Sequence, residues 1–166
     1  LVHADALTTV SEKYAQEIRS SDEYGCGLQN ILEKRKHDLT GILNGADYAV
    51  WDPSVDPLIP QRFELRSLDL KAENKKALLA KMGLPYQERT PVIGIISRLA
   101  DQKGFDLIGG MLDNLMQLQV QLVVLGTGEK KYHDLFEKAA KHHPQQVGIS
   151  LTFNNDLAHL IEEQGA

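Results

Sequence analysis

Three short apolar runs, PVIGIIS (91–97), QLVVLG (121–126) and VGISLTF (147–153), each precede a stretch with helical spacing, and this alternation constrains the fold more than any other feature. The spacing predicts helices from about Phe105 to Leu118, from about Lys130 to His142, and from about Asp156 onward. Continuously apolar strands joined by crossover helices imply a parallel sheet buried on both faces, with right-handed connections. The expected class is therefore α/β, a Rossmann-like parallel sheet with helices on both faces.

The first half has a different texture. ALTTV reads as a short strand, and Ser11 can cap a helix over SEKYAQEIR. SSDEYGCG breaks that helix, LQNILEKRKHD offers a short amphipathic one, and LTGIL is a strand stopped by Asn44-Gly45. Between Asp47 and Pro60 lie Pro53, Pro57 and Pro60, which neither continue a helix nor donate to a ladder, so this segment is expected to be an extended, ordered loop. Asp69 is expected to cap a surface-packed helix running through Met82, ended by Gly83 and Pro85.

In a parallel sheet ligands bind beyond the carboxyl ends of the strands. That rule selects three loops: Arg98 to Gly104, Gly126 to Glu129, and Phe153 to Asp156. Arg98 and Lys103 precede a helix N-terminus, whose free amides and partial positive charge would favour an anion. A guanidinium fork and a mobile ammonium together suit a diphosphate better than a lone carboxylate. The competing reading is a solvated Arg and Lys beside Asp101. Gly126-Thr127-Gly128 allows close backbone approach, yet it is neither GxGxxG nor a Walker loop, and alone such a loop is more often a plain strand-to-helix turn. Phe153 is either a stacking platform for a nucleobase or a core or edge phenylalanine. Asn44 is either turn chemistry or an amide presented to sugar hydroxyls.

Composition removes other classes. A formal net charge of -5 speaks against a general phosphate-backbone binder, so no nucleic-acid partner is expected. The single cysteine, Cys26, cannot close an internal disulfide, no Cys/His cluster has zinc spacing, and a reducing compartment fits. No apolar run approaches the roughly 18 residues of a membrane span, and no membrane partner is expected. A start at Leu1 and an abrupt stop after EEQGA suggest a piece of a longer polypeptide.

The segments ALTTVSEKYAQEI, LTGILNGADYAVWDP, KAENKKALLAKMGL, PVIGIISRLADQKGFDLI and LVVLGTGE, in that order, resemble the bacterial glycogen synthases and plant starch synthases. The resemblance implies a two-domain GT-B fold. Residues 1–40 would be the end of the N-terminal, acceptor-side domain and hinge, and 41–166 the first part of the nucleotide-sugar-binding domain. It implies a parent that transfers glucose from ADP-glucose to the non-reducing end of an α-1,4-glucan with retention, releasing ADP and needing no cofactor or metal. Arg98 and Lys103 would bind the donor diphosphate, Asn44 would lie near the transferred glucose, and Phe153 would stack on the adenine where the family usually has tyrosine. Gly126, Thr127 and Gly128 match the family's glycine-rich turn. The family's KxGGL and EPCGL motifs are not in this sequence. A location in the bacterial cytoplasm or the plastid stroma is implied; oligomeric state is not. Two other expectations stand beside this one: a UDP-glucose-dependent retaining glucosyltransferase, and a non-catalytic nucleotide- or glucan-binding module.

Overall fold

The computed structural model describes residues 1–165, which form two compact units divided between Asp47 and Tyr48. In the first unit, strand β1 (Leu7–Thr9) pairs in parallel with β2 (Leu39–Gly41), so LTG belongs to this unit. Helices α1 (Glu12–Ser20), α2 (Asp22–Gly25) and α3 (Gln29–Lys34) connect them. Ser11 caps α1 as expected, its Oγ accepting from the Tyr14 amide at 3.0 Å. The SSDEYGCG segment does more than break the helix. Ser21 caps α2, and Cys26 then turns the chain in the left-handed region at φ 48°. A small core of Leu7, Ile18 and Leu32 closes the unit.

The second unit holds the predicted α/β series. Strands β3 (Val92–Ile96), β4 (Gln121–Leu125) and β5 (Val147–Ser150) form one parallel sheet in the order β3-β4-β5. Val92 lies opposite Gln121, and Leu122 opposite Val147. Four helices accompany them: α4 (Lys71–Lys81), α5 (Phe105–Met116), α6 (Lys130–His142) and α7 (Asn155–Gly165). All five residues of β4 are buried, because its alternate side chains serve opposite cores. Leu122 and Val124 pack with Phe105, Leu112 and Phe136 of α5 and α6, whereas Val123 and Leu125 pack with Leu78 and Leu79 of α4 and Leu157 and Ile161 of α7. Each such fully buried aliphatic side chain contributes about 1.5–3 kcal/mol.

Two expectations about α4 are corrected. Asp69 is no cap: it sits inside a 3-10 turn (Leu68–Leu70) that runs straight into the helix. Nor is α4 surface-packed, since Leu78 and Leu79 are wholly buried against the sheet. It ends, as expected, at Gly83, which takes φ 69°.

The proline-rich stretch is irregular but firmly held. Asn74, buried on α4, accepts from the Gln61 amide at 2.8 Å and donates to the Gln61 carbonyl at 2.7 Å. Asp56, with no exposed surface, meets His159 Nδ1 of α7 at 2.7 Å, and Trp51 stacks on that imidazole at 3.9 Å. Asp56 also accepts from the Leu58 amide at 2.7 Å. Polar groups thus do for this loop what apolar contact does for the strands, because buried polar atoms demand partners and so specify position.

Candidate functional site

The carboxyl end of the sheet continues past its strands as a backbone zipper. The Ser97 amide donates to the Leu125 carbonyl at 3.2 Å, the Leu99 amide to the Thr127 carbonyl at 3.0 Å, and the Glu129 amide to the Leu99 carbonyl at 2.8 Å. Gly126 in turn donates to Ser150 at 3.1 Å. This explains the two glycines. A Cβ on Gly126 would stand 1.9 Å from the Ser97 carbonyl oxygen, and one on Gly128 would stand 2.2 Å from that of Leu99. Neighbouring backbone, on its own, requires glycine at both positions.

The zipper fixes the direction of Arg98. Leu99 is wholly buried on one side of the extended backbone, so Arg98, its neighbour, is turned to the open side. A 3-10 turn (Asp101–Lys103) follows, closed by amide donation from Lys103 to Ala100 at 2.9 Å and from Gly104 to Asp101 at 3.0 Å. Gly104 takes φ 71° and starts α5. Lys103 is exposed on this turn.

Beyond β5, Thr152 and Phe153 reach the same end of the sheet. The Asn154 side chain caps α7 by accepting from the Leu157 amide at 2.9 Å. A cleft of about 250 Å³ opens here, lined by Arg98, Gly126, Thr127, Phe153, Asn154 and Asn155 among others. Phe153 is 88% exposed, so it is not a core phenylalanine. Of the residues singled out in sequence, Arg98, Gly126, Thr127 and Phe153 therefore share one cleft. Lys103 and Gly128 lie in the adjoining turn and zipper and are not among its lining residues. Asn44 belongs to the other unit, exposed in the irregular segment after β2. Asn154 and Asn155 were not singled out as contact residues; an asparagine at the start of a helical pattern is the signal that marks the cap.

The charge pattern settles the role of Asp101. Its carboxylate accepts from the Tyr132 hydroxyl at 2.6 Å and from the Lys131 ammonium, both at the start of α6. These contacts, Lys131 foremost, hold the Asp101 carboxyl below its ordinary range. The same contact raises the Lys131 ammonium, and the bond to Asp101 raises the Tyr132 phenol. Asp101 thus pairs with residues of α6, and among the described residues it forms no ion pair with Arg98 or Lys103. Among the described residues no ion pair or hydrogen bond engages the Arg98 guanidinium or the Lys103 ammonium, and the Ser97 hydroxyl meets only the Arg98 carbonyl, at 3.2 Å. Two unpaired cations beside a glycine turn, an exposed aromatic ring and a helix start can receive an anion with a flat, apolar appendage. Among the described residues no cluster of His, Cys, Asp and Glu could hold a metal ion, and no helix is long and apolar enough to cross a membrane.

Comparison with known proteins gives a consistent set. A family profile of the starch synthase catalytic domain matches residues 1–34. Glycogen synthase 2 of Nitrosococcus oceani is 46% identical over 162 residues, which is 98% of this chain and 33% of that protein. The glycogen synthase of Kosmotoga olearia is 47% identical over 161 residues, 97% of this chain and 34% of that protein. The catalytic domain of starch synthase IV from Arabidopsis thaliana, solved bound to ADP and acarbose, superposes with a TM-score of 0.89 at 34% identity, covering 98% of this chain and 34% of that one. The chain spans about a third of the length of the curated relatives it matches.

Proposed function

This chain is homologous along nearly its whole length to one third of the glycogen and starch synthases, and from that premise we propose that it supplies the diphosphate-binding part of an ADP-glucose-dependent glucosyltransferase. The whole protein would transfer glucose to the non-reducing end of an α-1,4-glucan with retention of configuration. One observation carries the reading: among the described residues Arg98 and Lys103 stand without a counter-ion at the carboxyl end of β3, one lining the cleft and the other in the turn beside it.

The chemistry follows from where charge grows. As the glycosidic bond to the donor breaks, the electron pair leaves with the diphosphate oxygen, and preorganised cations stabilise that developing charge more than they stabilise the bound donor. Arg98 offers a fork for two phosphate oxygens, held on a backbone that the zipper fixes, and Lys103 offers a point charge. In this reading the two side chains, rather than a metal ion, take up the leaving-group charge. Phe153 supplies a face for the adenine, without a hydroxyl to add a polar contact. Asn44 is assigned to the transferred sugar on the strength of the family resemblance alone.

The test is turnover by the whole protein with Arg98→Ala and Lys103→Ala. Each is expected to lower kcat by roughly a hundredfold to a thousandfold, as removal of a preorganised charge-stabilising donor does elsewhere. Unchanged turnover and unchanged donor affinity would sink the assignment. ADP binding without any transfer by the wild-type protein would instead favour the non-catalytic module, and faster turnover of UDP-glucose would redirect the donor assignment.

A further inference from the structure

An anion site that carries a carboxylate between its two cations faces a conflict, since the carboxylate competes with the ligand for both. Asp101 is such a carboxylate, three residues after Arg98 and two before Lys103. Its surroundings on α6 resolve the conflict. Lys131 and Tyr132 both donate to Asp101 Oδ1, Glu129 Oε1 accepts from the Asp101 amide at 3.2 Å, and Lys131 also pairs with Glu129 Oε2 at 3.3 Å. The carboxylate, the amide and the carbonyl of one residue are thus all engaged, the carbonyl by Gly104. The 3-10 turn that carries Lys103 is thereby tied to the first turn of α6.

We propose that Asp101 is a positioning residue held by Lys131 and Tyr132, and that this hold keeps its charge away from the diphosphate site while fixing the turn that presents Lys103. The inference rests on the diphosphate reading and deepens it by adding residues that touch no ligand. Lys131 matters here through the carboxylate it retains. When Lys131 loses its charge, Asp101 keeps only the phenol as a side-chain partner and becomes a repulsive neighbour for an incoming diphosphate.

The experiment is ADP affinity by calorimetry, with KM and kcat for ADP-glucose, in the whole protein bearing Lys131→Met, Asp101→Asn, or both. The Lys131 and Asp101 side chains are 54% and 70% exposed, so these variants keep their fold. Lys131→Met is expected to weaken ADP binding and raise KM about fivefold, the size of one unit charge released a few ångströms from the ligand in a high-dielectric setting. Adding Asp101→Asn should restore affinity to within about twofold of wild type, a rescue that a purely structural role for Lys131 would not give. Affinity of Lys131→Met equal to wild type, or a double variant as weak as Lys131→Met, overturns the inference and leaves the diphosphate reading in place. A wild-type protein that does not bind ADP overturns both, and Arg98→Ala run alongside separates the two cases.

Discussion

Charge is handled in opposite ways at two places along the first turns of α7. At its start, Arg98 stands over an open cleft with no partner among the described residues; one turn further in, Asp56 and His159 are sealed from solvent and meet at 2.7 Å. The difference is one of solvation. An exposed guanidinium keeps its water and costs little to leave unpaired, so it remains available to a ligand. A sealed carboxylate has lost its water, and removing its partner strands it. The first arrangement stores binding capacity, and the second stores position, since it pins residues 48–67 to the helix that lines the cleft.

The comparison breaks most visibly at the sealed pair. His159→Ala removes the ring that both pairs with Asp56 and stacks on Trp51, and about 3–5 kcal/mol of folding stability should go with it. Denaturant unfolding of the whole protein measures this, and a loss below about 1 kcal/mol would mean that the pair does not hold the loop. Next comes the zipper. Gly126→Ala sets a methyl 1.9 Å from a carbonyl oxygen that cannot retreat without opening the ladder, which should cost about 3 kcal/mol and raise the donor KM as Arg98 shifts. A fully active, equally stable variant would refute the steric account. The smallest effect on folding belongs to the open cleft. Phe153→Ala should change stability by less than about 0.5 kcal/mol, yet weaken nucleotide binding by about 1–3 kcal/mol through lost stacking. Equal nucleotide affinity in that variant would remove Phe153 from the site.

The same contrast explains what the sequence disclosed. Strands β3 to β5 and helices α5 to α7 were legible because apolar periodicity records burial directly, and the starts of α1 and α6 fell where a cap or an abrupt change of pattern marked them. The site's cations were legible because strand ends in a parallel sheet are ligand positions. The Asp56–His159 pair was not, since its members lie 103 residues apart and neither carries a local pattern. Asp101 was visible, but its partner could not be chosen: Lys103 is two residues away in sequence, while Lys131 is thirty residues away and becomes near only when β4 brings α6 alongside. In sequence the glycines of the GTG turn fit either close ligand approach or a plain turn, and the backbone of the adjacent segment needs that room by itself. Asp69 misled for the opposite reason, because a good capping residue in sequence became part of a 3-10 turn once Leu78 and Leu79 drew the helix into the core.

The zipper that carries Arg98 has a consequence in time. Loops over active sites commonly move on the microsecond to millisecond scale, and enzymes that rely on them are paced by opening and closure. The main chain on either side of Arg98 is bonded into the ladder at Ser97 and Leu99, so a large displacement of it has to open those bonds. The guanidinium can therefore search for phosphate oxygens in picoseconds to nanoseconds while its anchor point stays still.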